Sequence, residues 1–297
     1  MRRDTLIKLM ISVIILALLF SVVNTRDFME SILKIRPVFF LALLLLPLSI
    51  LIRAWRWKML MEHGGCPVSC GDAYGLTLVG VALNMLLPGG MGDIAKSYYG
   101  YRWHGLREEM LSTSVLDKVI ALLSIFILGT AAAFWSGMLF WGSVSLLLSL
   151  ISVFMVFCPD VFPWRRIMNL MGLISKRRLD PDKLFTFYTS SGNLKLRAMI
   201  LSFIGWLVSY LQFYIVCLSF GVNVDIAYIL AISPLVNLAL VFPLTMNGLG
   251  SSDAVVVYFL GLKGVALSTA LIISLFYSQI LTTLIPGIFG LILILRR

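Results

Sequence analysis

Long stretches without a single charged residue alternate along the chain with short basic clusters. Uncharged stretches cover residues 119–159, 198–224, 226–252 and 264–295. A helix needs about 20 apolar residues to cross a bilayer, so this pattern predicts membrane-spanning helices. The first stretch is long enough for two of them, with the turn at Trp135, Ser136 and Gly137.

Two earlier spans are predicted at residues 6–23 and 37–52. The first begins after Arg2 and Arg3, as a signal peptide does, but no small-residue cleavage pattern follows it. We therefore expect it to be an uncleaved anchor.

Two further apolar stretches, about 73–103 and 226–260, are interrupted in the middle. The interrupting residues are Pro88, Gly89, Gly90 and Gly92 in the first, and Pro243, Asn247, Gly248 and Gly250 in the second. Half-length pieces separated by proline and glycine are typical of broken or re-entrant helices. The alternative is a pair of ordinary spans kinked by proline.

Composition gives the fold class. Hydrophobic residues make up 60% of the chain and charged residues 13%, and the mean hydropathy is +0.99. A soluble domain carries about 25% charged residues. The sequence therefore predicts an all-α polytopic membrane protein with about six full spans and two broken helical hairpins. The predicted domains are an N-terminal membrane half (1–159), a cytoplasmic linker (160–197) and a C-terminal membrane half (198–297).

The net charge of +10 comes from 24 basic and 14 acidic residues. In a membrane protein such an excess indicates basic cytoplasmic loops, and no nucleic-acid partner is expected. If both termini are cytoplasmic and each broken segment returns to its starting side, few basic residues fall outside: Arg26, Lys34, Arg36 and Lys263. We therefore expect a multi-pass protein of the inner (cytoplasmic) membrane, with the two hairpins entering from opposite sides.

The linker has a pattern of its own. Its part at 161–174 is amphipathic, which predicts a helix on the membrane surface. Lys176, Arg177 and Arg178 follow and would attract anionic headgroups. A basic linker that only fixes topology is the alternative.

A weak internal repeat relates the two broken segments. Matching residues are Pro88 and Pro243, Gly90 and Gly248, Gly92 and Gly250, and Asp93 and Asp253, at offsets of 155 to 160 positions. Together with the opposite directions of entry, this predicts an inverted repeat.

Candidate binding residues lie at the two breaks. Asn84, Gly92, Asp93 and Lys96 surround the first, and Asn247, Ser251 and Asp253 the second. A helix that restarts after glycines presents free N–H groups, which favour an anion. Lys96 would add a cation or hold Asp93 as an i, i+3 pair. The carboxylates would instead bind a cationic headgroup, a coupling proton or a sodium ion, or simply cap the helices.

Asp117 and Lys118 lie about 10 Å into a helix that begins near residue 110. Adjacent residues point in different directions, so each needs its own partner. We expect Lys118 to reach the inner surface and Asp117 to pair with a base, the candidates being Arg53, Arg56 and Arg102. For Asp117, both a structural ion pair and a substrate contact remain open. For residues 53–57, the alternative is an aromatic and basic belt at the membrane interface.

Known catalytic signatures are not found. The chain has no nucleophile elbow, zinc signature or P-loop, and His63, Cys66 and Cys70 do not have zinc-ligand spacing. No catalytic residue, metal or cofactor is predicted.

In the order and spacing of these motifs the chain resembles the lysylphosphatidylglycerol synthase transmembrane-domain family of flippase-like membrane proteins. The likeness runs from about Arg53 to Leu293. Its motif residues are Arg56, Trp57, Gly64, Asn84, Pro88, Gly92, Asp93, Lys96, Asp117, Lys118, Pro243, Gly248, Gly250 and Asp253. The resemblance implies a stand-alone member, without the synthase domain, that moves a lipid between leaflets.

The chain departs from the family pattern at several positions. Asp93 and Asp253 stand where the family usually has Glu, and Lys96 replaces an Arg. Gly90 and Ser252 occupy positions where a basic residue is common in the family. We therefore do not expect this chain to share the family's lysyl-phospholipid substrate.

The leading hypothesis is a lipid translocase that moves the headgroup of a phospholipid or a polyprenyl-linked lipid through a groove between the two breaks. A membrane-embedded transferase with a polyprenyl-phosphate donor is the second hypothesis, and a scaffold for a lipid-modifying enzyme is the third. A transporter is favoured over an enzyme, with membrane lipids as partners. The sequence does not give the oligomeric state.

Overall fold

The structure is a computed structural model that describes residues 35–105, 109–157, 192–241 and 245–296, together with a few single positions before residue 35. All regular structure in these ranges is helical. The helices are α1 (Phe39–His63), α2 (Cys70–Asn84), α3 (Gly92–His104), α4 (Glu109–Trp135), α5 (Leu139–Phe157), α6 (Gly192–Ser219), α7 (Ile226–Val241), α8 (Ser251–Gly261) and α9 (Leu267–Arg296). Most of the predicted span 6–23 lies outside the described residues, as do the amphipathic segment 161–174, the basic cluster 176–178 and Pro243.

Five of these helices, α1, α4, α5, α6 and α9, are long and apolar enough to cross a membrane. Their outer faces carry large exposed apolar side chains, such as Phe40 on α1, Leu150 on α5 and Phe289 on α9. Water would not solvate such a surface, whereas lipid would. The prediction of an all-α polytopic membrane protein is confirmed.

Two predicted boundaries can be compared with the structure. The turn predicted at 135–137 corresponds to the end of α4 at Trp135 and the connection to α5, residues 136–138. Helix α6 begins at Gly192, within the range 160–197 predicted as the linker. Lys195, in the first turn of α6, is buried and donates from Nζ to the carbonyl oxygen of Val156 at the end of α5 (2.9 Å).

The first broken segment folds back on itself as a helical hairpin. A β-carbon added at Gly80 of α2 would contact the side chain of Lys96 on α3 at 3.3 Å, and one added at Gly100 would contact Leu76 at 3.5 Å. These contacts pair the two arms in antiparallel register. A single 3₁₀ turn, Pro88–Gly90, reverses the chain, with Gly89 in the left-handed region (φ 68°).

The second broken segment is also a hairpin. The Tyr228 hydroxyl on α7 donates to the carbonyl oxygen of Phe259 on α8 (2.7 Å). Ser251 Oγ donates to the carbonyl oxygen of Ala239 (3.1 Å), nearer the turn. The turn contains the 3₁₀ segment Met246–Gly248, in which Asn247 has a positive φ of 47°, a conformation that Asn tolerates better than most residues.

The hairpins are held between the long helices. Helices α1 and α6 pack antiparallel, with Gln212 Nε2 donating to the carbonyl oxygen of Ala42 (3.0 Å). Helix α2 packs on α9, α7 packs on α4, and the two hairpin turns contact each other. The tips of both broken segments therefore meet inside the helical bundle.

Glycine permits the closest helix crossings. A β-carbon at Gly290 of α9 would overlap the carbonyl oxygen of Leu78 on α2, and one at Gly129 of α4 would overlap the ring of Pro234 on α7. Small residues at such crossings let helix backbones approach closely in a membrane.

We predict that Gly290→Ala destabilises the fold by about 1–3 kcal/mol, the usual cost of overpacking a closely packed site. Thermal unfolding in detergent measures the effect as a lower Tm. Gly261→Ala is the matched control, because no heavy atom lies within 4 Å of a β-carbon at Gly261. Equal Tm values for the two variants would contradict the α2–α9 packing.

Candidate functional site

A cavity of about 200 Å³ lies beside the two hairpin turns. It is lined by residues from α1, α2, α3, α4, α6, α7, α9 and both turns. Nine residues singled out in the sequence line it: Arg53, Arg56, Asn84, Gly90, Asp93, Lys96, Asp117, Lys118 and Asn247. The cavity thus collects most of the charged residues predicted at membrane depth.

The inner part of the cavity contains a buried ion pair. Arg56 Nε on α1 lies 2.6 Å from Asp117 Oδ1 on α4, and both side chains are less than a tenth exposed. Lys96 Nζ on α3 lies 3.7 Å from Asp117 Oδ2 and 3.9 Å from the centre of the Trp57 ring. The guanidinium also donates to Ser202 Oγ on α6 (2.9 Å). One carboxylate therefore holds cations from two helices.

The outer part contains a second ionic cluster, centred on Asp93 at the start of α3. Lys118 Nζ on α4 donates to Asp93 Oδ2 (2.8 Å), and Arg53 Nη2 on α1 donates to Oδ1 (3.2 Å). Lys118 passes over the first turn, where a β-carbon at Gly90 would lie 2.6 Å from its Nζ. A side chain at position 90 would displace the ammonium, so the glycine is needed for this contact.

The structure shows which of the alternatives left open for these side chains it adopts. Lys96 does not hold Asp93 as an i, i+3 pair, because Arg53 and Lys118 take that carboxylate and Lys96 faces Asp117 instead. Lys118, expected to reach the inner surface, pairs with Asp93 at the first turn. Among the three bases considered for Asp117, the structure selects Arg56 and not Arg53 or Arg102.

The combined cluster has more positive than negative charge. Arg53, Arg56, Lys96 and Lys118 face Asp93 and Asp117, an excess of two cations over carboxylates. The side chains of Arg53 and Lys118 remain 35% and 24% exposed. Arg and Lys carry several donors each, so these two can bind an additional acceptor. Few cations lie next to the breaks in the sequence, but the fold adds Arg53 and Arg56 from α1 and Lys118 from α4 to the cluster.

Asn84 and Gly92 shape the first turn. Asn84 Oδ1 accepts the Gly92 backbone N–H (2.7 Å), and a β-carbon at Gly92 would overlap the backbone of Asn84. Asn84 lines the cavity, whereas Gly92 lies behind it.

The predicted residues at the second break divide in the same way. Asn247 lines the cavity and donates from Nδ2 to Thr283 Oγ1 (3.3 Å). Ser251, Asp253, Gly248 and Gly250 do not line it. Gly248 and Gly250 have positive φ values of 72° and 85°, as a tight turn requires.

Several polar residues that line the cavity were missed in the sequence. They are Ser49, Thr77, Ser202, Ser209, Tyr210, Gln212, Asn237, Ser278, Thr282 and Thr283. A usable signal is present on α9, where Ser278 and Thr282 are four residues apart in an uncharged stretch, a spacing that places both on one face of a helix. The other residues are isolated, and no spacing marks them.

We predict that Asp117→Asn lowers the free energy of unfolding by about 3–5 kcal/mol, because it leaves Arg56 buried without its carboxylate. Thermal unfolding in detergent would detect the loss. Glu62→Gln, which breaks the exposed Lys58–Glu62 pair, is the control and should leave the Tm nearly unchanged. The double variant Arg56→Gln/Asp117→Asn should lose less than the sum of its single variants. Additive losses would contradict a direct pair.

Comparison with known proteins finds two membrane proteins that are similar to this chain. A UPF0104 membrane protein of Methanothermobacter thermautotrophicus is 21% identical over 300 residues, covering 91% of this chain and 89% of its own length. A UPF0104 membrane protein of Methanocaldococcus jannaschii is 25% identical over 216 residues, covering 67% of this chain and 87% of its own length. No solved structure matches the chain.

The family described as "Lysylphosphatidylglycerol synthase TM region" matches residues 5–290, which is nearly the whole chain. The protein therefore belongs to the lysylphosphatidylglycerol synthase transmembrane-region family.

Proposed function

We propose that this protein is a lipid translocase that carries a phosphate-bearing headgroup between leaflets through the cavity at the two hairpin turns. The observation that carries the proposal is the cationic cluster of Arg53, Arg56, Lys96 and Lys118, which exceeds its two carboxylates by two charges. Ionisable side chains at membrane depth are costly and usually functional.

The surroundings of the cluster suit a lipid. The outer faces of α1, α5 and α9 are apolar and would keep acyl chains in contact with the bilayer. The cavity is small, and its wall combines the ionic cluster with neutral polar side chains and apolar ones. A headgroup would enter the cavity while its acyl chains stayed outside in lipid.

The chemistry of the cavity favours a phosphate. Arg binds phosphate oxygens through paired N–H donors, and Lys binds them as a compact positive charge. Arg53 and Lys118 converge on Asp93 from two different helices and are the most exposed cations of the cluster. We propose that a lipid phosphate competes with Asp93 for these two cations, so that the same donors serve the empty and the loaded state.

An inverted repeat would explain the access from both sides. In this arrangement α1–α4 form one unit and α6–α9 the other, each a long helix, a hairpin and a second long helix. Three sets of contacts support it: α1 lies antiparallel to α6, each hairpin packs on the last helix of the other unit, and the two turns touch. Inverted units place a site at their interface and let it open alternately to either side.

The hairpins would then be re-entrant, one from each side of the membrane. With both termini cytoplasmic, the first hairpin enters from the cytoplasm of an inner membrane and the second from outside. This orientation rests on the distribution of basic residues along the sequence.

Reconstitution into liposomes tests the proposal. The wild-type protein should move the headgroup of a fluorescent phospholipid between leaflets, as measured by access of a membrane-impermeant quencher. Lys118→Gln and Arg53→Gln should each slow this movement about tenfold or more, because a hydrogen bond to a charged group contributes about 1.5–3 kcal/mol.

Lys263→Gln is the matched control. Its ammonium lies over the Tyr228 ring, 4.5 Å from the ring centre, and the residue does not line the cavity. It should transport at the wild-type rate. Equal rates for Lys118→Gln and wild type at equal incorporation would contradict the cation assignment. A product lipid of changed mass would indicate a transferase instead, and transport only after adding a co-purified enzyme would indicate a scaffold.

A further inference from the structure

The charged and the neutral polar residues of the cavity come from different helices. In the described part of the chain, every charged residue that lines the cavity lies on α1, α3 or α4. The part of the wall that belongs to α6, α7, the second turn and α9 has polar side chains without charge. We call six of them the neutral wall: Ser209, Gln212, Asn237, Asn247, Thr282 and Thr283. The ion pairs of the cationic cluster use none of these six residues.

The hydroxyl groups of the neutral wall already donate to the backbone. Ser209 Oγ donates to the carbonyl oxygen of Gly205 (2.9 Å). Thr282 Oγ1 and Thr283 Oγ1 both donate to the carbonyl oxygen of Ser278 (2.9 and 2.7 Å). A hydroxyl has one proton and two lone pairs, so once the proton is engaged only acceptor capacity remains. These three side chains therefore offer the cavity oxygen lone pairs.

The amide side chains of the neutral wall show the same bias. Gln212 and Asn237 donate from their nitrogens to main-chain carbonyl oxygens (3.0 and 2.9 Å), and Asn247 donates to the Thr283 hydroxyl (3.3 Å). Their side-chain carbonyl oxygens accept no hydrogen bond from the residues that the structure describes. Gln212 is 1% exposed and Asn237 8% exposed. Buried acceptors normally have a donor, so the neutral wall suits a ligand that supplies donors.

Charge decides which donor fits. Ammonium and hydroxyl groups both donate, but the cationic cluster in the same cavity has two more cations than carboxylates. A lipid phosphate with one negative charge leaves an excess of one, which repels a further cation. Asp93 and Asp117 are the acids among the described residues that line the cavity, and both are already paired with cations. An uncharged hydroxyl group avoids this repulsion and still satisfies the acceptors.

We propose that the neutral wall binds the hydroxyl groups of a lipid headgroup while Arg53 and Lys118 bind its phosphate. The substrate is then a phospholipid whose headgroup is uncharged and hydroxylated beyond the phosphate, as glycerol and sugars are. This inference rests on the proposed function, because it divides the same cavity into a phosphate part and a hydroxyl part. A headgroup that carries an amine does not fit the second part.

Lipid binding in detergent tests the neutral wall without any transport assay. Native mass spectrometry of the purified full chain would give the affinity for three lipids with the same acyl chains. Phosphatidylglycerol should bind about tenfold more tightly than phosphatidylpropanol, which has the same charge and carbon number but lacks both hydroxyls. The loss of one or two hydrogen bonds produces a ratio of this order. Phosphatidylethanolamine should also bind about tenfold more weakly than phosphatidylglycerol, because its ammonium meets the excess positive charge.

Two variants change the wall in different ways. Asn247→Asp keeps an acceptor oxygen and tolerates the positive φ of 47°, but it adds a carboxylate that attracts an ammonium. It should reduce the preference for phosphatidylglycerol over phosphatidylethanolamine about tenfold. Gln212→Met removes an acceptor and should reduce the preference for phosphatidylglycerol over phosphatidylpropanol about threefold. Asn223→Asp is the matched control, because Asn223 is exposed and does not line the cavity. It should keep both wild-type preferences.

Proteoliposomes with the same three lipids, labelled on an acyl chain, extend the test to transport. Wild-type protein should move phosphatidylglycerol about tenfold faster than phosphatidylpropanol or phosphatidylethanolamine, and Asn247→Asp should narrow the difference from phosphatidylethanolamine.

The outcomes separate the two proposals. Equal binding of phosphatidylglycerol and phosphatidylpropanol overturns the hydroxyl site, and tighter binding of phosphatidylethanolamine overturns the exclusion of an amine. A preference that exists in sodium buffer and is lost in potassium buffer overturns the proposal by assigning the acceptors to a metal ion. Equal binding with equal movement of all three lipids supports the translocase and refutes the hydroxyl site. Selective binding of phosphatidylglycerol by a protein that moves no lipid supports the hydroxyl site and refutes the translocase.

Discussion

The ion pair between Arg56 and Asp117 is the constraint on which the site depends. A charge placed inside an apolar bundle is tolerated only when a partner compensates it, and both side chains here are less than a tenth exposed. Arg56 lies on α1, near the predicted cytoplasmic end of the second span, and Asp117 lies on α4. Their pairing therefore fixes α1 against α4. Lys96 joins the same carboxylate and brings α3 to it. The pair therefore positions the first hairpin as well as satisfying two charges.

The hairpins follow from backbone requirements in the same setting. A chain that turns inside the bundle must satisfy its polar groups locally, and here Asn84 accepts the Gly92 N–H while Asp253 accepts that of Gly250. Glycines let the arms and the neighbouring helices approach within backbone contact, as Gly92 and Gly290 do. The two turns consequently meet beside a polar cavity, while the exterior of the bundle remains apolar. This combination is the physical basis for proposing a headgroup path.

The spans, the breaks and the charged residues at depth could be predicted from sequence, because length, hydropathy and proline or glycine each have a local signature. The pairing could not, because it depends on how helices distant in sequence pack. Asp93 takes Arg53 from 40 residues away, where spacing favoured Lys96 three residues along. The polar lining from α6 and α9 was missed for a related reason. The sequence does not distinguish a serine that lines a cavity from one whose hydroxyl bonds to the backbone of its own helix. Ser278 does both.

A structure of the protein in lipid nanodiscs, determined by electron cryomicroscopy with a bound antibody fragment for alignment, would show whether the cavity binds a lipid headgroup. We expect headgroup density in the cavity between the two turns, with its phosphate in contact with Arg53 and Lys118 and its acyl chains outside the bundle. Lipid ordered only around the outer faces of the spans, with none in the cavity at saturating phospholipid, would contradict it.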